Sequence, residues 1–154
     1  MKRALFSLML LGTPLAAHDR MAGDLHIIHP SIPAPAASAQ SAAGYVTISN
    51  DGDTPEELIG VRTPFAASTT LHSTIFEDGI ARMHPLAGLT IAPGEVINLE
   101  PGGDHVMFMG LTSPAVEGDM IPATLIFRNA GEVAVEFMVD PANGADHSTD
   151  HSGH

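Results

Sequence analysis

The 154-residue chain has no cysteine and no tryptophan, a single tyrosine, and only six lysine and arginine residues against 18 aspartate and glutamate residues. Without cysteine there is no thiolate chemistry: no zinc ribbon, no dithiol exchange and no Cys ligand of a blue-copper centre. An exported domain of this size can rest on its hydrophobic core without disulfides. The shortage of basic residues excludes nucleic acid and anionic lipid as partners. Long apolar runs are missing too. The run Ala4–Leu11 is interrupted by Ser7 and falls far short of the ~20 residues a spanning helix needs, so no membrane insertion is expected. No Ser/His/Asp triad, paired-carboxylate arrangement or nucleotide loop can be placed, and the chain is read as a binding protein and not an enzyme.

What is present begins with an export signal. Lys2 and Arg3 precede the apolar run, Gly12-Thr13-Pro14 ends it, and Ala16-Ala17 offers small residues for cleavage. The expected divisions are 1–17 signal peptide, 18–141 one β-domain and 142–154 a polar tail. Removing Lys2 and Arg3 leaves four arginines against 18 acids, a formal charge of −14. Cleavage after Ala17 would make His18 the first residue, and an amine with an imidazole can chelate Cu(II). No second histidine can be assigned to such a brace.

From Leu25 to Asp140 the pattern is strands and turns. The expected strands are Leu25–His29, Tyr45–Ser49, Leu58–Val61, Thr69–Phe76, Ile80–His84, Glu95–Leu99, His105–Leu111, Ala123–Phe127 and Val133–Val139. Turn signals such as Asp78-Gly79, Pro101-Gly102-Gly103 and Asn129-Ala130-Gly131 separate them. No longer segment after the signal carries a helical apolar period. The expectation is an all-β antiparallel sandwich or small barrel, with Pro30–Ala43 as an extended loop and the tail after Pro141 disordered.

Four histidines and methionines stand out. Asp78-Gly79 is a favoured two-residue type I′ hairpin turn. It would place Thr74 opposite Met83, and strand alternation puts His72 on the face of Thr74. His72 and Met83 become diagonal neighbours about 7–8 Å apart, within reach of long side chains. His105 and Met107, two apart in a strand, share the face opposite Val106 and Phe108. Met109 continues that row, as an extra ligand or as packing. Two imidazoles and two thioethers are soft, neutral donors suited to Cu(I); zinc sites draw on thiolate, imidazole and carboxylate. A lone strand methionine is ordinarily core filler, and His26 and His84 are read as surface residues and His29 as structural. No local rule brings the two pairs together.

At these residues the sequence resembles the PCuAC family of periplasmic copper chaperones, whose signature is a His, ten residues, a Met, twenty-one residues, then His-x-Met. His72, Met83, His105 and Met107 meet each spacing. The stretches Glu77-Asp78-Gly79, Leu99 to Met107 and Gly44 to Asn50 also resemble the family, and the likeness spans Leu25 to Val139. Ser31, Ile32 and Pro33 depart from it where an aromatic and a basic residue are frequent, as does Ser73 after the first His. The resemblance implies a cupredoxin-like Greek-key fold and one Cu(I) on the four residues in a periplasmic monomer. It implies delivery to the dinuclear copper centre of cytochrome c oxidase subunit II, with a Sco-type protein as co-worker.

The tail, with His147, His151 and His154 beside Asp146 and Asp150, offers ligands suited to Cu(II) or Zn(II). Such a segment could collect Cu(II) for the main site. The competing function is a copper-storage or resistance protein without a dedicated acceptor.

Overall fold

The computed structural model describes residues 19–142. These residues form eleven strands and no helix: β1 (Arg20–Ala22), β2 (Leu25–Pro33), β3 (Ser41–Asn50), β4 (Glu56–Arg62), β5 (Ala66–Glu77), β6 (Ile80–Leu86), β7 (Leu89–Ile91), β8 (Val96–Leu99), β9 (Asp104–Leu111), β10 (Met120–Phe127) and β11 (Gly131–Asp140). The strand path is β6-β5-β9-β3-β2-β11-β10-β4-β7, with β1 added to β2 and β8 to β3. Many spatial neighbours, such as β5 and β9 or β2 and β11, are distant in sequence. The architecture is a cupredoxin-like Greek-key sandwich. Strand β3 serves both layers: Ser41–Gly44 pairs with β9, while the stretch from Tyr45 on pairs with β2 and β8.

Alternation fills the core. Along β3 the even-numbered residues Ala42 to Asn50 are buried and the odd-numbered ones are not. An edge-to-face aromatic row runs through the centre. The rings of Phe65 and Phe108 lie 6.1 Å apart, and those of Phe108 and Phe137 lie 5.5 Å apart. Phe108 is fully buried because Gly44 leaves room for it. A Cβ at position 44 would sit 2.6 Å from Phe108 Cε2 and 3.1 Å from Phe137 Cε1. Phe108 and Val106 face inward, so His105 and Met107 face the other way.

The nine expected strands all form, most of them longer than the sequence pattern implies. The region Pro30–Ala43 corrects the sequence reading. It is not one loop: β2 runs on to Pro33 and β3 begins at Ser41. The reason is a bulge. His29 takes φ 46°, and the β2–β3 register shifts between Ile28 and Ser31. Pro30 falls in the unpaired bulge, where its missing N–H breaks no ladder bond. Beyond it Ser31, Ile32 and Pro33 pair in parallel with Met138, Val139 and Asp140 of β11. His29 is held by both chain flanks: its N–H donates to Asp19 Oδ1 at 3.3 Å, and its Nε2 lies 3.2 Å from Asp140 Oδ2. The three-residue strands β1 and β7 are also additions, too short to leave a periodicity.

Glu56 is a buried carboxylate that closes the far end. It accepts backbone N–H bonds from Asn129 at 2.9 Å and Ala130 at 2.8 Å, and from Glu57 at 2.9 Å. Burial pushes its pKa up, but these three donors and the nearby Arg128 outweigh burial and hold it below the ordinary value.

Two outcomes are expected. Gly44→Ala should lower stability by about 1–3 kcal/mol in urea unfolding, since the Phe108 ring cannot retreat from a new methyl. Glu56 has a folded pKa below its unfolded one, so its contribution is present above the unfolded value of ~4.3 and is lost as pH falls through the folded value. Glu56→Gln should therefore be less stable than wild type by about 1–2 kcal/mol at pH 7, with the gap closing towards pH 3. A gap that stays constant across that range would contradict the assignment.

Candidate metal centre

Sheet pairing does what local rules could not. Strand β5 lies between β6 and β9. The β5–β6 register places Thr74 opposite Met83 and Glu77 opposite Ile80, as the Asp78-Gly79 turn requires. Both turn residues have positive φ, 52° and 77°, the type I′ geometry. On its other edge, β5 pairs with β9 so that His72 lies directly opposite His105 and Thr70 opposite Met107. Directly opposed residues share a face, so His72, Met83, His105 and Met107 project from one face of the sheet, away from Leu71, Val106 and Phe108.

The two imidazoles are the centre of the arrangement. Their ring centroids are 5.8 Å apart, at 85° to each other. His105 is only 4% exposed. Its Nδ1 donates to the carbonyl of Gly103 at 3.1 Å, which leaves Nε2 as a bare lone pair. The same Gly103 carbonyl accepts the backbone N–H of Thr74 at 3.1 Å, so the turn before β9 is fastened to β5 at the site. His72 Nε2 lies 3.3 Å from Thr70 Oγ1, and its Nδ1 is left over. His72 Nδ1 and His105 Nε2 are both buried and have no hydrogen-bond partner. Buried polar nitrogens are ordinarily satisfied, and an orphaned pair on one face needs an occupant. An ion that accepts nitrogen lone pairs fits; the fixed second nitrogen of each ring is the usual support for a metal-binding histidine.

The thioethers differ from each other. Met107 is half-buried beside Thr70 and Ala43. Met83 is 61% exposed on the β5–β6 hairpin, where every β6 residue except Leu86 is exposed. The donor set is two nitrogens held in place, one partly sheltered sulfur and one sulfur on an arm in solvent. No carboxylate belongs to it, and the set suits a soft monovalent ion.

The structure keeps His26 and His84 outside the site. His26 Nε2 lies 3.6 Å from Asp19 Oδ2, and exposed His84 faces Ser73. The tail residues His147, His151 and His154, and also His18, lie outside the described residues. Two supports escaped the sequence reading: Thr70, which shares a face with His72 by alternation, and the Gly103 carbonyl, one residue into the Gly102-Gly103 turn. The first was legible from spacing; the second depends on the turn's path.

The chain is similar to several known proteins. The family model described as “Putative lipoprotein LpqE-like” matches residues 25–139. “Putative lipoprotein Lxx21020” of Leifsonia xyli subsp. xyli is 32% identical over 111 residues, covering 71% of this chain and 67% of its own. A copper-bound PCuAC domain from PmoF2 superposes with a TM-score of 0.70 at 27% identity, covering 80% of this chain and 98% of that domain. The Cu(I) form of DR1885 from Deinococcus radiodurans gives 0.63 at 32% identity, over 75% and 78% of the two chains.

The hydrogen bonds fix the tautomer of His105 without reference to any metal. Nitrogen-15 NMR of the imidazoles at pH 8 should show His105 protonated at Nδ1 and bare at Nε2. The opposite tautomer would remove one of the two free lone pairs.

Proposed function

The chain belongs to the LpqE-like family and has the fold of PCuAC domains, and from that premise we propose that it is an exported Cu(I) metallochaperone. The observation that carries this reading is the pair of buried, unpartnered nitrogens, His72 Nδ1 and His105 Nε2, on the face that also carries Met83 and Met107. The ion is cargo. His72 and His105 bind it from the sheet, Met107 closes one side, and Met83 caps it from the hairpin. All four donors are neutral, so Cu(I) is preferred to a divalent ion. A thioether on an exposed arm can leave first and open the ion to an acceptor.

The acceptor in this reading is a respiratory oxidase copper centre, the dinuclear site of cytochrome c oxidase subunit II, with a Sco-type protein as co-worker. These partners rest on the PCuAC resemblance. Export to the periplasm rests on the signal-like first 17 residues. The histidines of the tail are read as a Cu(II) collector that supplies the main site once the ion is reduced.

Competition titration with a Cu(I) chelator tests the site. Wild type should bind one Cu(I) tightly, and Met107→Ala and His72→Ala should each weaken binding by about tenfold or more, a loss of at least ~1.4 kcal/mol. Binding that neither substitution touches would overturn the assignment. Truncation after Pro141 should reduce the number of Cu(II) ions bound and leave Cu(I) affinity unchanged; an unchanged Cu(II) count would remove the tail from the scheme.

A further inference from the structure

The face that carries the four donors carries a fifth. Met109 follows His105 and Met107 along β9 at the same alternation, opposite Ser68 on β5 and Ser41 on β3. Exposure rises along this row, from buried His105 through half-buried Met107 to Met109 at 43%. Successive residues on one strand face stand about 6.8 Å apart at Cα, and a methionine side chain has three rotatable bonds with which to close such a gap. Packing does not account for Met109. Its cross-strand partners are both serines, and the core lies on the other side of the sheet. Exposure alone proves nothing, since Met21 on β1 is 58% exposed without any such neighbours. What distinguishes Met109 is its place at the open end of a row of copper donors.

We propose that Met109 is a further Cu(I) ligand, an exchange position that takes over from Met83 while Met107 holds the ion. This rests on the Cu(I) site of the preceding section and extends it. As the bond from the ion to the Met83 sulfur breaks, a bond to the Met109 sulfur forms. Both ligands are neutral thioethers, so no electron or proton moves and copper stays Cu(I). The ion then has two solvent-facing thioethers at opposite ends of the strip, one on a projecting hairpin and one on the sheet. It can be received at one end and released at the other.

The test uses the full chain with methyl-13C methionine, titrated with Cu(I), as wild type, Met109→Leu, Met83→Leu and the double variant. In Met83→Leu the Met109 methyl resonance should shift together with that of Met107 on addition of one equivalent. Met83→Leu should keep a Cu(I) site, and adding Met109→Leu should weaken it a further tenfold or so, ~1.4 kcal/mol. Met109→Leu alone should slow removal of Cu(I) by a competing chelator. A Met109 methyl that stays still while that of Met107 moves, or a double variant no weaker than Met83→Leu, overturns the proposal and leaves the four-residue site standing. A wild-type chain that binds no Cu(I) overturns both.

Discussion

The pairing of β5 with β9 is the constraint on which the site depends. It sets His72 directly opposite His105 and Thr70 opposite Met107, joining residues 33 and 37 positions apart that have no local means of meeting. Two features hold the register. On the inner face, Leu71 and Val106 are paired and buried, and Phe108 is locked between Phe65 and Phe137. On the outer face, the Gly103 carbonyl accepts from both Thr74 N–H and His105 Nδ1. A slip of one residue would turn Phe108 outward and His105 inward. The aromatic core therefore specifies which residues of β9 turn outward to the candidate metal centre.

What could be read in advance divides along the same line. The β5–β6 hairpin was legible down to its register because a type I′ turn at Asp78-Gly79 fixes every opposed pair. Alternation alone put His105 and Met107 on one face. The meeting of the two halves was not legible, because cross-strand pairing between distant segments depends on the whole fold. It came from family likeness. The Pro30–Ala43 segment misled for a different reason. Its proline and alanine composition is that of a connector, yet a bulge at His29 absorbs Pro30 and lets Ile32 enter the core beside β11. A left-handed histidine held between Asp19 and Asp140 leaves no mark in local sequence.

The electrostatics separate the site from its surroundings. The chain is strongly acidic, and three of its arginines are paired: Arg62 with Glu132, Arg82 with Glu77 and Arg128 with Glu57. These exposed pairs contribute little to stability, but they leave an anionic surface that raises the local concentration of cations. The donor set itself has no carboxylate. Attraction at long range is unselective, and in the proposed site selection at short range would fall to soft neutral ligands, which hard divalent ions find poor.

A carrier of the proposed kind must hold its ion firmly and still surrender it, and the four candidate donors differ in mechanical setting in a way that would divide that work. His105 is buried and tied to a turn that is itself tied to β5, so its lone pair keeps its direction. His72 is braced by Thr70 on the same strand. Met83 stands on a hairpin whose second strand is almost wholly exposed, and its sulfur can swing away without breaking any core contact. In the proposed chaperone the histidines would set affinity and geometry, while the exposed thioether would govern release. That division needs neither a change of fold nor a proton, only one weak bond located where solvent and a partner can reach it.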